Sequence, residues 1–459
     1  MEFLSNGLWQ RRRLQGMTVT EQGIRRKTIG GGLDVFSDIA LPGWAKVRQE
    51  LDRTDVGDIG DAVAREFARA GIGDQVTPGA RVALTAGSRG IDRIADVLRA
   101  CIEEVRQRGG EPFIIPAMGS HGEATVEGQT ALIAHYGVTE AAVGAPIRAS
   151  METVRLGELE GGVPVWFDRI AHDTADLVIP VGRVKPHTDF RGPVESGLMK
   201  MIAIGLGKQH GANWFHSQGI GTFGDLVPRV AAFTLSKMPI PFGLALVENG
   251  FSKLGLIEAV PAAMIRDREA ELLEIARSMI AGLPEVDQLD VLIVDEIGKD
   301  ISGDGADPNV IHRAVVDTMD FTGVRPQIQR YIVRGLTELT DGNATGIGMF
   351  DFALQRAVDE IDPVPTYMNM ITAKSPQGAR VPITVSTDRQ ALTLAVASAL
   401  KVTEGSARFM RIPSTKDLET LWVSAPVLEE LRESGATIEV VEEVQPIAFD
   451  DDGMFISSS

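Results

Sequence analysis

Short apolar runs that stop at glycine- and histidine-bearing loops alternate with amphipathic stretches of helical period, and this alternation constrains the chain more than any other feature. Residues 81–85 read RVALT and predict a strand. Residues 92–106 predict a helix, because Ile94, Val97, Leu98, Cys101 and Val105 recur on one face. Residues 112–116 predict the next strand and 123–135 the next helix. Further strands are expected at 163–167, 176–182 and 241–247. A β, α, β, α order calls for a largely parallel sheet with helices on both faces.

A chain of 459 residues exceeds one core, since domains run to roughly 50–250 residues. A helix over 262–280 ends at Ala281-Gly282-Leu283-Pro284, which marks a boundary. The expectation is two α/β domains with mainly parallel sheets, over 17–281 and 285–459. The second begins with a strand at 291–294. It contains the loop IGKDISGDGADPN (297–309), the glycine-rich DGNATGIG (341–348), a helix near 388–401 and strands near 408–411 and 437–441. DGNATGIG reads either as a ligand loop or as a tight turn. The acidic C-terminal tail reads as frayed, or as docked by a few apolar residues. Residues 1–16 are expected to be a disordered tail, with Met17 as an alternative start.

The formal charge of −18 argues against nucleic acid or an anionic membrane as partner. No apolar run approaches the roughly 18–20 residues of a membrane span, and the N-terminus lacks the apolar core of a signal peptide. Cys101 is the single cysteine. A disulfide within the chain and any cysteine-rich zinc or iron–sulfur site are therefore excluded, and a reducing cytoplasm suits such a chain.

The chemistry concentrates in one stretch. Three of the seven histidines, His187, His210 and His216, fall within 175–216 together with Lys200. Upstream, the strand 112–116 runs into Gly119-Ser120-His121-Gly122. Strand ends followed by Gly- and Ser-rich loops are where α/β folds place their chemistry, and histidine titrates near neutrality and binds metals. Residues 84–91, LTAGSRGI, imitate the cofactor loop of short-chain dehydrogenases. Asp92 stands where that fingerprint has its last glycine, the loop lies deep in the chain, and no tyrosine has a lysine four residues on. Gly219 to Gly224 also spells GxGxxG, without a clear preceding strand.

The motifs resemble those of the nickel-pincer lactate racemases and their homologues. The carriers are the strand at 175–178, Pro186-His187, Lys200 in a glycine-rich loop, Gly205, and Trp214-Phe215-His216. Ser88-Arg89 and Gly119-Ser120-His121 match two upstream loops. The resemblance implies two α/β domains with the active site in the cleft between them. It implies a nickel-pincer mononucleotide bound covalently by Lys200, with Ser88 and Gly197 beside it and His216 on nickel. It further implies cofactor-biosynthesis proteins as partners and a small 2-hydroxy acid as substrate. His121 and His187 would be the paired acid/bases that interconvert the two configurations by reversible hydride transfer. Arg89 would hold a carboxylate with its fork of donors.

Two departures stand out. The loop between His187 and Lys200 is longer than in the lactate enzymes and carries Asp189, Arg191 and Glu195. The family's second-domain lysine is not recovered. His312 and Arg313 occupy its neighbourhood, so they are expected to bind substrate, with Arg313 as a second anion clamp for an acid larger than lactate. Two other readings stand beside this one. The first is a metal-dependent hydrolase built on His121, His187, His216 and carboxylates such as Asp189 or Glu195. The second is a non-catalytic homologue that binds a small acid.

Overall fold

A computed structural model describes residues 36, 38–88 and 90–456. The expected tail at 1–16, the alternative start at Met17 and the side chain of Arg89 lie outside the described residues. The protein is a mixed α/β structure rich in parallel strands.

The first strands form where expected. Arg81–Ala86 pairs in parallel with Glu111–Pro116 on one side and Leu177–Ile179 on the other. Pro180 then interrupts the expected strand 176–182, because it has no N–H to give a ladder. The strand resumes as Val181–Arg183, parallel to Phe242–Glu248, which pairs antiparallel with Leu254–Pro261. The Thr85 hydroxyl takes the Val181 N–H at 2.9 Å and so bridges the interruption. Alternate residues of these strands enter two cores. Ala83, Phe113, Ile115 and Val178 face one layer, and Val82, Leu84 and Ile114 face the other. A sheet covered on both faces explains why its strands read as continuous apolar runs.

Helix Ile94–Gln107 follows the first strand. The expected helix at 123–135 starts later, at Val126, because Thr125 caps the N–H of Gly128 at 3.0 Å. Residues 119–124 before it form a tight loop with positive φ at Gly119, Gly122, Glu123 and Ala124. Helix Ile265–Met279 ends at the extended Ile280, and the chain then crosses to the second sheet.

That sheet has eight strands. Gln288–Ile297 lies inside, with Gln327–Leu336, Phe352–Leu354 and Ile383–Val385 following in parallel on one side. Phe409–Ile412 pairs in parallel on the other side. Thr420–Ser424, Trp44–Gln49 and Ile438–Gln445 complete it as antiparallel neighbours. Trp44–Gln49 thus hydrogen-bonds with the C-terminal sheet, although its sequence position groups it with 17–281. Its buried Trp44, Ala45 and Val47 fill both faces of that sheet, which a sequence-local boundary does not foresee. The acidic tail is docked through residue 456, where Phe455 packs on Trp44 at 5.0 Å between ring centres.

Candidate active site

Three parallel strand ends converge on the segment that carries Lys200. Gly197 precedes a helical turn at Leu198–Lys200, which continues as a π-helical turn over Met201–Gly205. Such turns recur at functional sites because they push one side chain out of the regular helical stack. A Cβ at Gly205 would lie 2.5 Å from the Ala117 carbonyl oxygen, so only glycine lets this turn reach the end of strand Glu111–Pro116. The Gly119 N–H binds the Gly205 carbonyl at 3.2 Å and ties the His121 loop to the same turn.

Gly197 was expected beside a cofactor. Its missing side chain makes room for a carboxyl group, since a Cβ there would lie 2.3 Å from Glu269 Oε1. Glu269 is buried, and its Oε2 accepts the Met199 N–H at 2.8 Å. It therefore caps the turn that presents Lys200, supplying an acceptor to N–H groups with no partner within the helix. Burial pushes its carboxyl up to about 8 from 4.5, against the lowering effect of the Met199 and Leu198 N–H groups. Folded protein then keeps a proton that the unfolded chain has lost, so between these values stability falls as pH rises. Urea unfolding near pH 5 and near pH 8 is expected to show this loss in the native protein and a flatter response in Glu269→Gln. Equal slopes in the two proteins would show that Glu269 does not hold the proton.

Lys200 and His187 meet directly, with Nζ 2.5 Å from Nε2. The His187 ring packs on Phe190 at 4.4 Å between centres. Its Nδ1 accepts the Asp189 N–H at 3.0 Å. The backbone around it is pinned from several sides. Glu195, fully buried, accepts the His187 N–H at 2.6 Å and pairs with Arg277 at 2.7 Å. Burial raises the Glu195 carboxyl, while its N–H and arginine partners hold it down. Arg191 donates to the His187 carbonyl at 3.0 Å and to Asn309 Oδ1 at 2.6 Å. Asn309, from the C-terminal unit, also donates to the His187 carbonyl at 3.2 Å. Thr318 donates to the Asp189 carbonyl at 2.8 Å. The long loop of the sequence is thus the contact between the two units at the site.

His216 lies on helix Lys208–Gln218, half-buried against Phe223. Burial lowers its pKa, the charges of Lys200 and Lys374 lower it further, and Asp189 opposes them. A neutral imidazole offers a lone pair, which is what a metal requires of it. His121 is exposed, and its Nδ1 is hydrogen-bonded to the Ser88 hydroxyl. Ser88, expected against a cofactor, is here the partner that orients His121.

His312 and Arg313, expected to bind substrate, have partners of their own. His312 Nδ1 is hydrogen-bonded to the Pro326 carbonyl at 3.0 Å, and its ring stacks on Phe321. Burial lowers its pKa. Arg313 pairs with Asp351 at 2.9 Å, donates to the Met349 carbonyl at 2.9 Å and lies 3.7 Å over the Tyr331 ring. Those contacts hold the guanidinium against Asp351 and Tyr331. His210 is hydrogen-bonded to Thr153 at 2.8 Å and packs on Trp166, a structural placement.

Several residues at the site carry no sequence motif: Glu269, Asp304, Asn309 and Lys374. Glu269 left one trace, an acid on the face shared by Ile265, Leu272 and Ala276. An unpaired charge on such a face is costly and calls for a partner.

No protein-family model matches the chain, and no curated protein matches it. Among solved structures, it is similar to a lactate racemase apoprotein from Thermoanaerobacterium thermosaccharolyticum. That likeness has 15% identity and a TM-score of 0.49, and covers 81% of this chain and 94% of the other. A Thermotoga maritima protein from a structural genomics programme is similar at 12% identity and a TM-score of 0.46, covering 78% and 96%.

Proposed function

We propose that the protein is a racemase or epimerase of a 2-hydroxy acid, resembling lactate racemase, with a lysine-bound nickel-pincer mononucleotide as cofactor. The observation that carries the reading is the meeting of Lys200 Nζ with His187 Nε2, with a half-buried His216 whose pKa is lowered by burial and by the charge of Lys200. These are the residues whose motifs resemble the family's lysine anchor, acid/base and nickel ligand.

The residues fit such a group. Lys200 would hold it covalently and His216 would ligate nickel, for which imidazole is a suitable donor. Gly87 and Gly182 leave space beside this segment, since a Cβ at either would stand 3.3 or 3.5 Å from the Met201 methyl. When bound, the cofactor supplies a hydride acceptor. The chain's own part is proton transfer and orientation. His187 takes or returns the hydroxyl proton from one face of the substrate, and His121 does so from the other. Ser88 orients His121, and the Asp189 N–H orients His187. Contacts from Asn309 and Thr318 close the His187 loop against the C-terminal unit.

The hydrolase reading gains no comparable support. Among the described residues, no three His, Cys, Asp or Glu side chains are placed to hold an ion. Glu195 is already committed to Arg277 and the His187 N–H.

Peptide mass spectrometry of active protein, made alongside the cofactor pathway, is expected to show an adduct on Lys200. An unmodified Lys200 in active protein would sink the reading. His216→Ala is expected to lose bound nickel and activity together, and full nickel retention would remove His216 as a ligand.

A further inference from the structure

The loop that carries His121 is held in a backbone state that its residues rarely adopt. Between strand Glu111–Pro116 and helix Val126–His135, φ is positive at Gly119 and Gly122, and also at Glu123 (57°) and Ala124 (55°). Residues with a Cβ seldom visit that region, and they stay there only where the surroundings over-determine them. Part of the clamp is close approach. A Cβ at Gly122 would lie 2.7 Å from the Gly128 carbonyl carbon, and a Cβ at Gly128 would lie 2.2 Å from the Gly122 oxygen. The other part is a single side chain.

Gln129 stands one turn into that helix and is only 1% exposed. Its Nε2 donates to the Gly119 carbonyl at 3.0 Å and to the His121 carbonyl at 3.2 Å. A side-chain amide has two donors on its nitrogen, and here both go to the loop, on either side of Ser120. The helix does not depend on them. Thr125 caps the N–H of Gly128, and the Gln129 N–H reaches the Thr125 carbonyl at 3.0 Å. Leucine is as good a helix former as glutamine, so an apolar side chain would serve the helix equally. A buried amide is costly unless it is hydrogen-bonded, and this one meets that demand by gripping the backbone of His121.

The two gripped carbonyls join two parts of the site. The Gly119 N–H binds the Gly205 carbonyl at 3.2 Å, at the end of the π-helical turn that follows Lys200. The His121 ring is hydrogen-bonded to the Ser88 hydroxyl on a neighbouring strand end. We propose that Gln129 is a positioning residue for His121: its amide fixes the backbone that bears the ring relative to the turn that bears Lys200, so that the imidazole meets Ser88. The consequence for turnover rests on the racemase reading, whereas the placement of the ring belongs to the chain alone.

The test begins with cofactor-free full-length protein carrying ¹⁵N-labelled histidine, the His121 ring signals being assigned by their loss in His121→Gln. In Gln129→Leu those signals are expected to move, while those of His172, which pairs with Asp173, stay in place. Hydrogen exchange at the amides of 119–125 is expected to rise roughly two- to tenfold for each bond lost, with 208–218 unchanged. Thr139→Ala removes the cap on the Ala142 N–H at 3.2 Å, and this destabilised control is expected to show neither change. Unmoved His121 signals with unchanged exchange at 119–125 overturn the proposal, whatever happens to the thermal midpoint. Should Gln129→Leu not fold, Gln129→Glu is read in its place, since a carboxyl group has at most one donor for the two carbonyls. With cofactor-loaded protein, Gln129→Leu is expected to lower interconversion in the native background and to cost nothing further in His121→Gln. Additive losses would overturn action through His121. Because the ring and exchange measurements need no cofactor, their failure leaves the racemase reading standing, and an unmodified Lys200 in active protein would sink that reading and leave this placement standing.

Discussion

His187→Ala is expected to lower interconversion by roughly 10²–10⁴-fold, the usual loss when a general acid or base is removed, while the fold survives. The second half of that expectation comes from how the loop is held. Glu195 binds the His187 backbone N–H, and Arg191 and Asn309 bind its backbone carbonyl. None of these contacts uses the imidazole. The side chain packs on Phe190 and meets Lys200 and the Asp189 N–H, so its loss leaves a largely buried gap while the backbone anchors of the loop stay in place. On the racemase reading, each turnover moves the hydroxyl proton on both faces of the substrate. The loss should therefore be of similar size whichever configuration is supplied. Initial rates from each pure enantiomer, measured with cofactor-loaded protein, check this. Rates within threefold of the native protein, with the thermal midpoint unchanged, would remove His187 from the chemistry. A loss confined to one starting enantiomer would contradict a reversible two-base scheme.

Much of the fold was legible because the N-terminal sheet is built locally. Strand Arg81–Ala86, helix Ile94–Gln107 and strand Glu111–Pro116 follow one another in chain and in space. Each announces itself through apolar period alone. Legibility failed where pairing is long-range. Trp44–Gln49 joins a sheet whose other strands begin about two hundred and forty residues later by the numbering, and nothing in its own six residues names that partner. The strand at 176–182 failed differently. The proline was visible, but its effect depends on Thr85 standing opposite to take the Val181 N–H.

The site divides along the same line. His121, His187, Lys200 and His216 stand out because each follows a strand or a glycine-rich turn, and motif order alone groups them. Arg313 stood out for its charge and its place near the family's lysine, yet charge does not say what an arginine faces, and here Asp351 and Tyr331 take it. Gly197 was read as cofactor space, and the neighbour that its missing Cβ admits, Glu269, lies seventy-two residues along the chain. Small residues mark close approach without saying what approaches.

The largest effect on stability is expected from Asp168→Ala. Lys208 and Asp168 are both fully buried, with Nζ 2.8 Å from Oδ2. The ammonium also donates to the Pro116 carbonyl, at the end of the strand that leads into the His121 loop. The other Asp168 oxygen accepts the Ala171 N–H at 2.7 Å and caps the following short helix. Removing the carboxylate leaves a buried ammonium with one neutral acceptor and strips a helix cap. Breaking one half of a buried ion pair costs about 3–5 kcal/mol, and a lost cap costs about 1 kcal/mol more. Lys208→Met takes away the charge that would be stranded, so the double variant should recover most of the loss, which is the signature of a pair rather than of two separate contacts. Because Lys208 begins the helix that carries His216, the single variant should also loosen the site, and hydrogen exchange at 116–121 and 208–218 should rise together. Denaturant unfolding of the four proteins in the cycle measures the coupling. A single-variant loss below about 1 kcal/mol, the upper end of what an exposed pair is worth, would mean that water reaches this pair and that the strand end carrying His121 does not depend on it.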